Sequence, residues 1–209
     1  MQLADSALPI GSAAHSFGLE TLIAENYLDA RGLVDFLRDY LAETGVVEAV
    51  FCRAAHRLSM LADSCEQWIE LNRKLSARKP AHETRTASLT LGRRLLHLFA
   101  ALESGTAPEG DAHHATAFGF IGGVIGVDED LTAAIYLQQI VSGLISVCQR
   151  LMPLGQQQAA RILWDLKPAI LDAARASAAL DPDEVGAFTP LADMASMRHV
   201  ALETRLFIS

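Results

Sequence analysis

The chain has 209 residues, 51% of them hydrophobic and 20% charged, a composition that can bury a core and that excludes an intrinsically disordered protein. The 25 acidic residues outnumber the 17 basic ones, so the net charge of -8 would repel nucleic acid on average. Ala and Leu are far more frequent than Val and Ile, which favours helices over strands. We therefore expect a mostly or wholly helical protein without a nucleic-acid partner.

The cysteine pattern and the apolar segments indicate a cytoplasmic protein. Three cysteines without CxxC spacing predict neither a disulfide framework nor a zinc site. The opening residues lack the basic and apolar regions of a secretory signal. Residues 131–149 carry no charge and are long enough to cross a bilayer, but Gln138 and Gln139 lie at their centre. Because unpaired amides in hydrocarbon are costly, we expect a buried helix and no membrane span.

Apolar residues recur at helical spacing along most of the chain. The first strong pattern covers residues 33–41, with Asp29 as the expected N-cap. Thr44 is the expected N-cap of a second helix, which would extend to about residue 62. Further helices are predicted over residues 68–75, 91–102, 131–151, 155–164, 169–180 and 191–206, with an exposed loop at 104–111 and a connector at 182–190.

Residues 117–127 (AFGFIGGVIGV) are both apolar and rich in glycine. Small side chains at this density allow two helix backbones to approach closely, which predicts a tightly packed central helix pair. With no internal repeat and no linker, the sequence predicts one all-α domain over residues 1–209, a bundle of roughly eight to ten helices.

The usual signatures of phosphate-binding loops, metal hydrolases and nucleophile elbows do not occur in the sequence. Glu48, Cys52 and His56 share one helical face and could ligate a metal, but a buried cysteine in an apolar stretch is the favoured interpretation. His113 and His114 are adjacent, and packing or capping is favoured over metal binding. The sequence therefore predicts no catalytic residue, no metal site and no cofactor.

Five sequence blocks, in the same order, resemble those of the UreF family of urease accessory proteins. They are QLADSALPIGSAAHSFGLE at 2–20, ETRTASLTLGRRLL at 83–96, HATAFGFIGGVIG at 114–126, QRLMPLGQ at 149–156 and DMASMRHVALETRLFIS at 193–209. Each block alone is weakly specific, whereas five in order over nearly the whole chain make coincidence improbable.

The resemblance implies an all-helical, cytoplasmic, usually dimeric chaperone-like protein that helps insert nickel into apo-urease and is not an enzyme. Members of this family bridge the urease-docking scaffold called D or H and the nickel-carrying GTPase called G, and they influence when the GTPase acts. Residues in the matching blocks are the expected partner contacts: His15, Ser16, Glu20, Arg85, Arg93, His114, Arg150, Gln156, His199, Arg205 and Phe207.

The chain ends RLFIS, and we expect this segment to dock a partner, with Arg205 as its most important side chain. Three apolar side chains so close to a terminus need burial, and the Arg205 guanidinium could fix them through its planar fork of donors. The chain departs from the family pattern at Ala13, where an aromatic residue is common, at Val200, where an acidic one is, and at Ile208, where a basic one is.

Two other functions are compatible with the residues. An all-helical ligand-binding or regulatory domain would be favoured if residues 117–127 lined a pocket. A helical metalloenzyme would use Glu48, Cys52 and His56, or the pair His113 and His114.

Overall fold

The computed structural model describes residues 10–103 and 108–208, and within these ranges all regular secondary structure is helical. The described residues form ten α-helices: α1 (Leu19–Ala24), α2 (Leu33–Tyr40), α3 (Val46–Leu58), α4 (Cys65–Ala77), α5 (His82–Leu102), α6 (His114–Val124), α7 (Glu129–Leu151), α8 (Gln156–Asp165), α9 (Lys167–Ser177) and α10 (Pro190–Arg198). Short 3-10 helices lie at Ser12–Ala14 and His199–Ala201. The predicted all-α fold is confirmed. The predictions for the first residues of the chain and for residues 104–107 of the loop concern residues outside the described ranges, whereas residues 108–111 are non-helical as predicted.

The connection between α2 and α3 differs from the prediction. Oδ1 of Asp29 accepts hydrogen bonds from the N–H groups of Arg31 (2.8 Å) and Gly32 (3.0 Å), so it caps the turn before α2. Thr44 lies in a π-helical turn, Leu41–Gly45, that joins α2 to α3. The predicted N-cap at Thr44 is wrong, because helical hydrogen bonding continues through this residue.

Residues 117–124 of the glycine-rich segment lie in α6, which packs against α3 and α5 at the centre of the protein. A Cβ atom at Gly119 would overlap the backbone carbonyl of Cys52 on α3, so only glycine permits this approach. The predicted tight helix pair is confirmed.

Helix α7 begins at Glu129, two residues before the predicted start at residue 131. Oδ1 of Asp128 accepts a hydrogen bond from the N–H of Leu131 at 2.9 Å and caps the helix. By length and composition α7 could cross a membrane, but 56% of its most apolar stretch is buried inside the protein. Its apolar composition is thus accounted for by its position in the core, where Tyr136 and Val141 are fully buried.

A buried arginine joins three helices. Arg53 of α3 donates hydrogen bonds to Oγ of Ser177 (2.9 Å) and the carbonyl of Ala174 (2.8 Å) on α9, and to the Glu129 carboxylate (3.1 Å) at the start of α7. These bonds satisfy a charge that would otherwise be costly to bury.

The last helix is shorter than predicted. Helix α10 ends at Arg198, the chain makes one 3-10 turn, and residues 202–208 form a non-helical segment, here called the C-terminal tail. The prediction of a helix up to residue 206 is wrong, because the backbone N–H groups of Leu206, Phe207 and Ile208 bond to groups near the start of the chain instead.

Candidate functional site

The C-terminal tail is held by the buried carboxylate of Glu20 on α1. Its Oε1 accepts a hydrogen bond from the N–H of Leu206 (2.6 Å), and its Oε2 accepts one from the N–H of Phe207 (3.2 Å). Nε2 of His199 donates to the same Oε2 at 2.8 Å. Because hydrogen bonds to an ionised acceptor are stronger than neutral ones, this one carboxylate fixes the tail and the end of α10 to α1.

Close packing between α1 and α10 brings Glu20 within hydrogen-bonding distance of the tail. Gly18, just before α1, has φ of 87°, a left-handed conformation that favours glycine. A Cβ atom there would lie 2.9 Å from the carbonyl oxygen of Ala192 and 2.8 Å from Oγ of Ser196, both on α10. Glycine at this position therefore allows both the turn and the approach of the two helices.

Arg150, in the last turn of α7, contacts both ends of the described chain. Its Nη1 donates to the carbonyl of Ala13 at 2.8 Å, and its guanidinium carbon lies 4.3 Å from the centre of the Phe207 ring. The N–H of Ile208 donates to the carbonyl of Ala14 at 2.8 Å. The tail is thus attached to α7 by a cation–π contact. A backbone hydrogen bond also attaches it to the described residues before α1, 10–18, here called the N-terminal segment.

The structure brings six of the predicted partner-binding residues to this region or next to residues that touch the tail: His15, Ser16, Glu20, Arg150, His199 and Phe207. Others lie on other helices. Arg85 of α5 donates to the carbonyl of Lys79 at 2.6 Å, and His114 is buried with its ring 5.4 Å from that of Tyr136. Arg93 on α5 and Gln156 on α8 are exposed.

The three apolar tail residues differ in their burial within the chain. Phe207 is buried, whereas Leu206 is 58% and Ile208 73% exposed. Arg205 is also exposed. The tail is fixed by Glu20, by Arg150 and by its own Phe207 ring. Its exposed side chains are Arg205, Leu206 and Ile208.

An exposed apolar strip lies along α10. Leu191, Met194 and Met197 follow one another every three residues on the helix, a spacing that makes consecutive side chains neighbours. Phe188 lies two residues before the helix, and Val200 lies in the 3-10 turn after it. Each of the five side chains is between 44% and 82% exposed. We call these five residues the α10 face. Exposed apolar surface of this extent is typical of an interaction site.

A cavity with a volume of about 140 Å³ lies between the N-terminal segment, the ends of α3 and α4, α7 and α10. Glu48 of α3 is buried in its wall, where its two carboxylate oxygens accept hydrogen bonds from the Lys79 ammonium and the Tyr136 hydroxyl. His114 and Asp193 also line the cavity.

Burial and charge act against each other on the pKa values of these groups. Burial raises the pKa of Glu48, but the Lys79 charge and the hydrogen bonds from Lys79 and Tyr136 outweigh it, so the pKa lies below its usual range. Burial lowers the pKa of His114 to about 4, so this imidazole is neutral at pH 7. Burial also raises the pKa of Asp193.

The UreF family model matches residues 28–167, from just before α2 to the start of α9. The chain belongs to the UreF family. Relatives named urease accessory protein UreF are found in Geobacillus kaustophilus strain HTA426 (31% identical, covering 100% of this chain and 96% of the relative) and in Bradyrhizobium sp. strain ORS 278 (32%, 97% and 88%). Another, from Bacillus sp. strain TB-90, is 30% identical and covers 100% of this chain and 96% of its own length.

The residues considered as metal ligands have other partners in this UreF family member. Glu48 is paired with Lys79 and Tyr136, and Nε2 of His56 bonds to the carbonyl of Val127 at 2.7 Å. The thiol of Cys52 is buried, which raises its pKa. The imidazole of His113 bonds to Ser76 (2.8 Å) and Ser88 (3.0 Å). In the described ranges no three His, Cys, Asp or Glu side chains are grouped so that they could hold a metal ion.

Sequence reasoning missed the partners of Glu48. Lys79 and Tyr136 are 31 and 88 residues away along the chain, and no spacing rule of a single helix connects them. The sequence would favour a ligand-binding domain if residues 117–127 lined a pocket. These residues pack against α3 and do not line the cavity.

Proposed function

We propose that this chain is a non-catalytic scaffold in urease maturation, which bridges the accessory protein D or H to the nickel-carrying GTPase G and influences when the GTPase acts. Family membership supports a part in urease maturation, since relatives named urease accessory protein align over the whole chain. The sequence carries no phosphate-binding loop of its own, so GTP hydrolysis in the assembly would belong to the GTPase. Apo-urease would be reached through the complex.

The observation that carries this proposal is the α10 face together with the outward side of the tail. Seven large apolar side chains are exposed on α10, beside its two ends and on the fixed tail: Phe188, Leu191, Met194, Met197, Val200, Leu206 and Ile208. Such a surface suits a partner of matching apolar character, because burying it would supply most of the binding free energy.

The predicted contact residues fall into two groups under this proposal. Arg93, Gln156 and Arg205 are exposed and would contact partners directly. The buried residues Glu20 and His199 would act by presenting the tail, since their hydrogen bonds fix its path. The two departures from the family pattern at positions 200 and 208 extend the apolar surface.

The same proposal includes a cytoplasmic, single-domain protein that forms a homodimer. The amount of exposed apolar surface supports a second copy as one occupant in the absence of the other accessory proteins. Light scattering at tens of micromolar should give twice the 22.5 kDa chain mass. A monomer mass under these conditions would contradict the dimer.

The test is co-expression with the urease accessory proteins of the same genome, followed by capture on a tagged copy of this chain. Met194→Asp and Met197→Asp should abolish capture of D or H while changing the unfolding free energy by less than about 0.5 kcal/mol, as for other surface substitutions. The matched control is Ile69→Asp on α4, which is also an exposed apolar residue and is 54% exposed. Full capture by the Met194 and Met197 variants would refute the proposed surface.

Arg205→Ala tests the tail in the same assay. Because the side chain is exposed, the variant should keep the wild-type melting temperature and lose capture of the GTPase or of D or H. Retained capture would remove Arg205 from the contact set, and loss of capture together with unfolding would point to a structural role instead.

A further inference from the structure

The cavity described above is large enough for a small molecule. Its volume of about 140 Å³ is close to that of an engineered protein cavity of ~150 Å³ that binds benzene, a ligand of six non-hydrogen atoms. Arg150 lines the cavity and is exposed, so solvent reaches the cavity on that side. Most of the wall is apolar, with a few polar groups that converge on it, the usual composition of a ligand site.

Lys79 has hydrogen-bonding capacity that its protein partners do not use. An ammonium group has three N–H donors, and in the described part of the chain its one hydrogen-bond acceptor is the Glu48 carboxylate. The side chain is only 8% exposed, so bulk water does not readily satisfy the other two donors. Nε2 of His114, on the same cavity wall, is buried and has no hydrogen-bond partner among the described residues. Polar atoms without protein partners on the wall of a cavity point to a bound polar molecule.

The charges of the wall favour an anion. Three cationic side chains line the cavity, Lys79, Arg78 and Arg150, against the two carboxylates of Glu48 and Asp193. Both oxygens of Glu48 are already engaged by Lys79 and Tyr136, which leaves that carboxylate little capacity to attract a cation. The described residues also lack a group of three metal-ligating side chains, so the wall does not resemble a metal site.

We propose that this cavity is a binding site for a small oxyanion, a carboxylate or an inorganic anion of up to roughly six non-hydrogen atoms, held by the Lys79 ammonium and the His114 imidazole. Oxygen acceptors of the anion take the two unused donors of Lys79, and His114 supplies one further hydrogen bond. The cavity site is separate from the α10 face. Its test is therefore independent of the test of the scaffold function.

Two variants separate the site from the fold. Lys79→Met is combined with Glu48→Gln, because removing Lys79 alone would leave a buried carboxylate without its counter-charge. Gly143→Leu instead fills the cavity without changing any charge, since Gly143 lines it and a Cβ atom there meets no other atom within 4 Å. The matched controls are Lys74→Met, a lysine that pairs with Asp183 outside the cavity, and Ala100→Leu at an exposed helical position.

The full-length protein is titrated with sodium acetate, sodium bicarbonate and inorganic phosphate at constant ionic strength, with chloride as the reference salt. Binding is followed by calorimetry and by the rise in melting temperature, and the fold of each variant is checked by circular dichroism. We expect saturable binding of at least one of these anions to the wild type and both controls, with at least about tenfold weaker binding to the double variant and to Gly143→Leu. Acetate without phosphate would identify a carboxylate site, and phosphate without acetate an inorganic-anion site.

Three results would overturn the proposal. The first is that none of the three anions binds saturably to folded wild-type protein. The second is that binding is unchanged in both cavity variants, which would place the anion elsewhere. The third is that Ni²⁺ or ammonium, titrated as chloride salts, binds in the cavity in place of the anions and is lost in Gly143→Leu.

Discussion

Replacing Glu20 by alanine should release the C-terminal tail while leaving the helical core folded. The substitution removes the acceptor for the N–H groups of Leu206 and Phe207. A hydrogen bond to a charged group contributes about 1.5 kcal/mol at the low end of its range, so the two bonds together contribute about 3 kcal/mol. Since 1.4 kcal/mol corresponds to a factor of ten, the population with a released tail should rise ~100-fold.

Limited proteolysis with trypsin measures that population. Arg205 is exposed, but a protease needs several flanking residues to be free, so cleavage after Arg205 requires that Leu206 and Phe207 leave Glu20. Mass spectrometry would follow loss of the last four residues. Glu20→Gln should lie between wild type and Glu20→Ala, because an amide oxygen accepts a hydrogen bond more weakly than a carboxylate does.

The matched control is Glu66→Ala, which removes an exposed carboxylate from the first turn of α4. Its cleavage rate after Arg205 should equal that of the wild type. If Glu20→Ala is cleaved less than about threefold faster than Glu66→Ala, Glu20 does not hold the tail.

Burial lowers the pKa of His113 to about 3 and that of His114 to about 4, whereas unfolded histidines titrate near 6.5. The unfolded chain therefore takes up protons first, and stability should fall as the pH drops from 6.5 to 4, by up to ~1.4 kcal/mol per pH unit for each histidine. Urea unfolding at several pH values should show a smaller slope for His114→Phe, and an unchanged slope would contradict neutral burial. Gly119→Ala should lower the unfolding free energy by about 1–3 kcal/mol, because the new methyl group overlaps the Cys52 carbonyl. The same substitution at Gly143 should raise it by about 0.5–1 kcal/mol, since space is open there, and equal effects of the two would refute the packing described.

The sequence predicted the parts of the fold that depend on local pattern. Helical periodicity placed the start of α7 to within two residues, and the small residues of 117–127 predicted the close packing of α6. The N-cap prediction at Thr44 is wrong because Ser and Thr favour helix starts in general, whereas here the π-helical turn passes through this residue.

The geometry of the candidate site could not be predicted from a single sequence. Family resemblance indicated Glu20, His199 and Phe207, but their pairing joins residues almost 190 positions apart, which only the packing of α1 against α10 brings together. The apolar ending indicated three side chains that need burial, but not that the path fixed by Glu20 turns two of them, Leu206 and Ile208, outward. The Lys79 contact with Glu48 had no sequence signal at all.

The hydrogen bond from Ile208 to the Ala14 carbonyl has a thermodynamic consequence for any protein that captures the tail. Drawing the tail away breaks this bond and separates the Phe207 ring from Arg150, whose guanidinium also bonds to the carbonyl of Ala13. The N-terminal segment thereby loses one of its attachments to the rest of the molecule. By linkage, a ligand of the N-terminal segment must change the affinity for the tail by the same factor as a ligand of the tail changes the affinity for that segment. Two partners that engage the two segments would therefore act on each other's binding without touching.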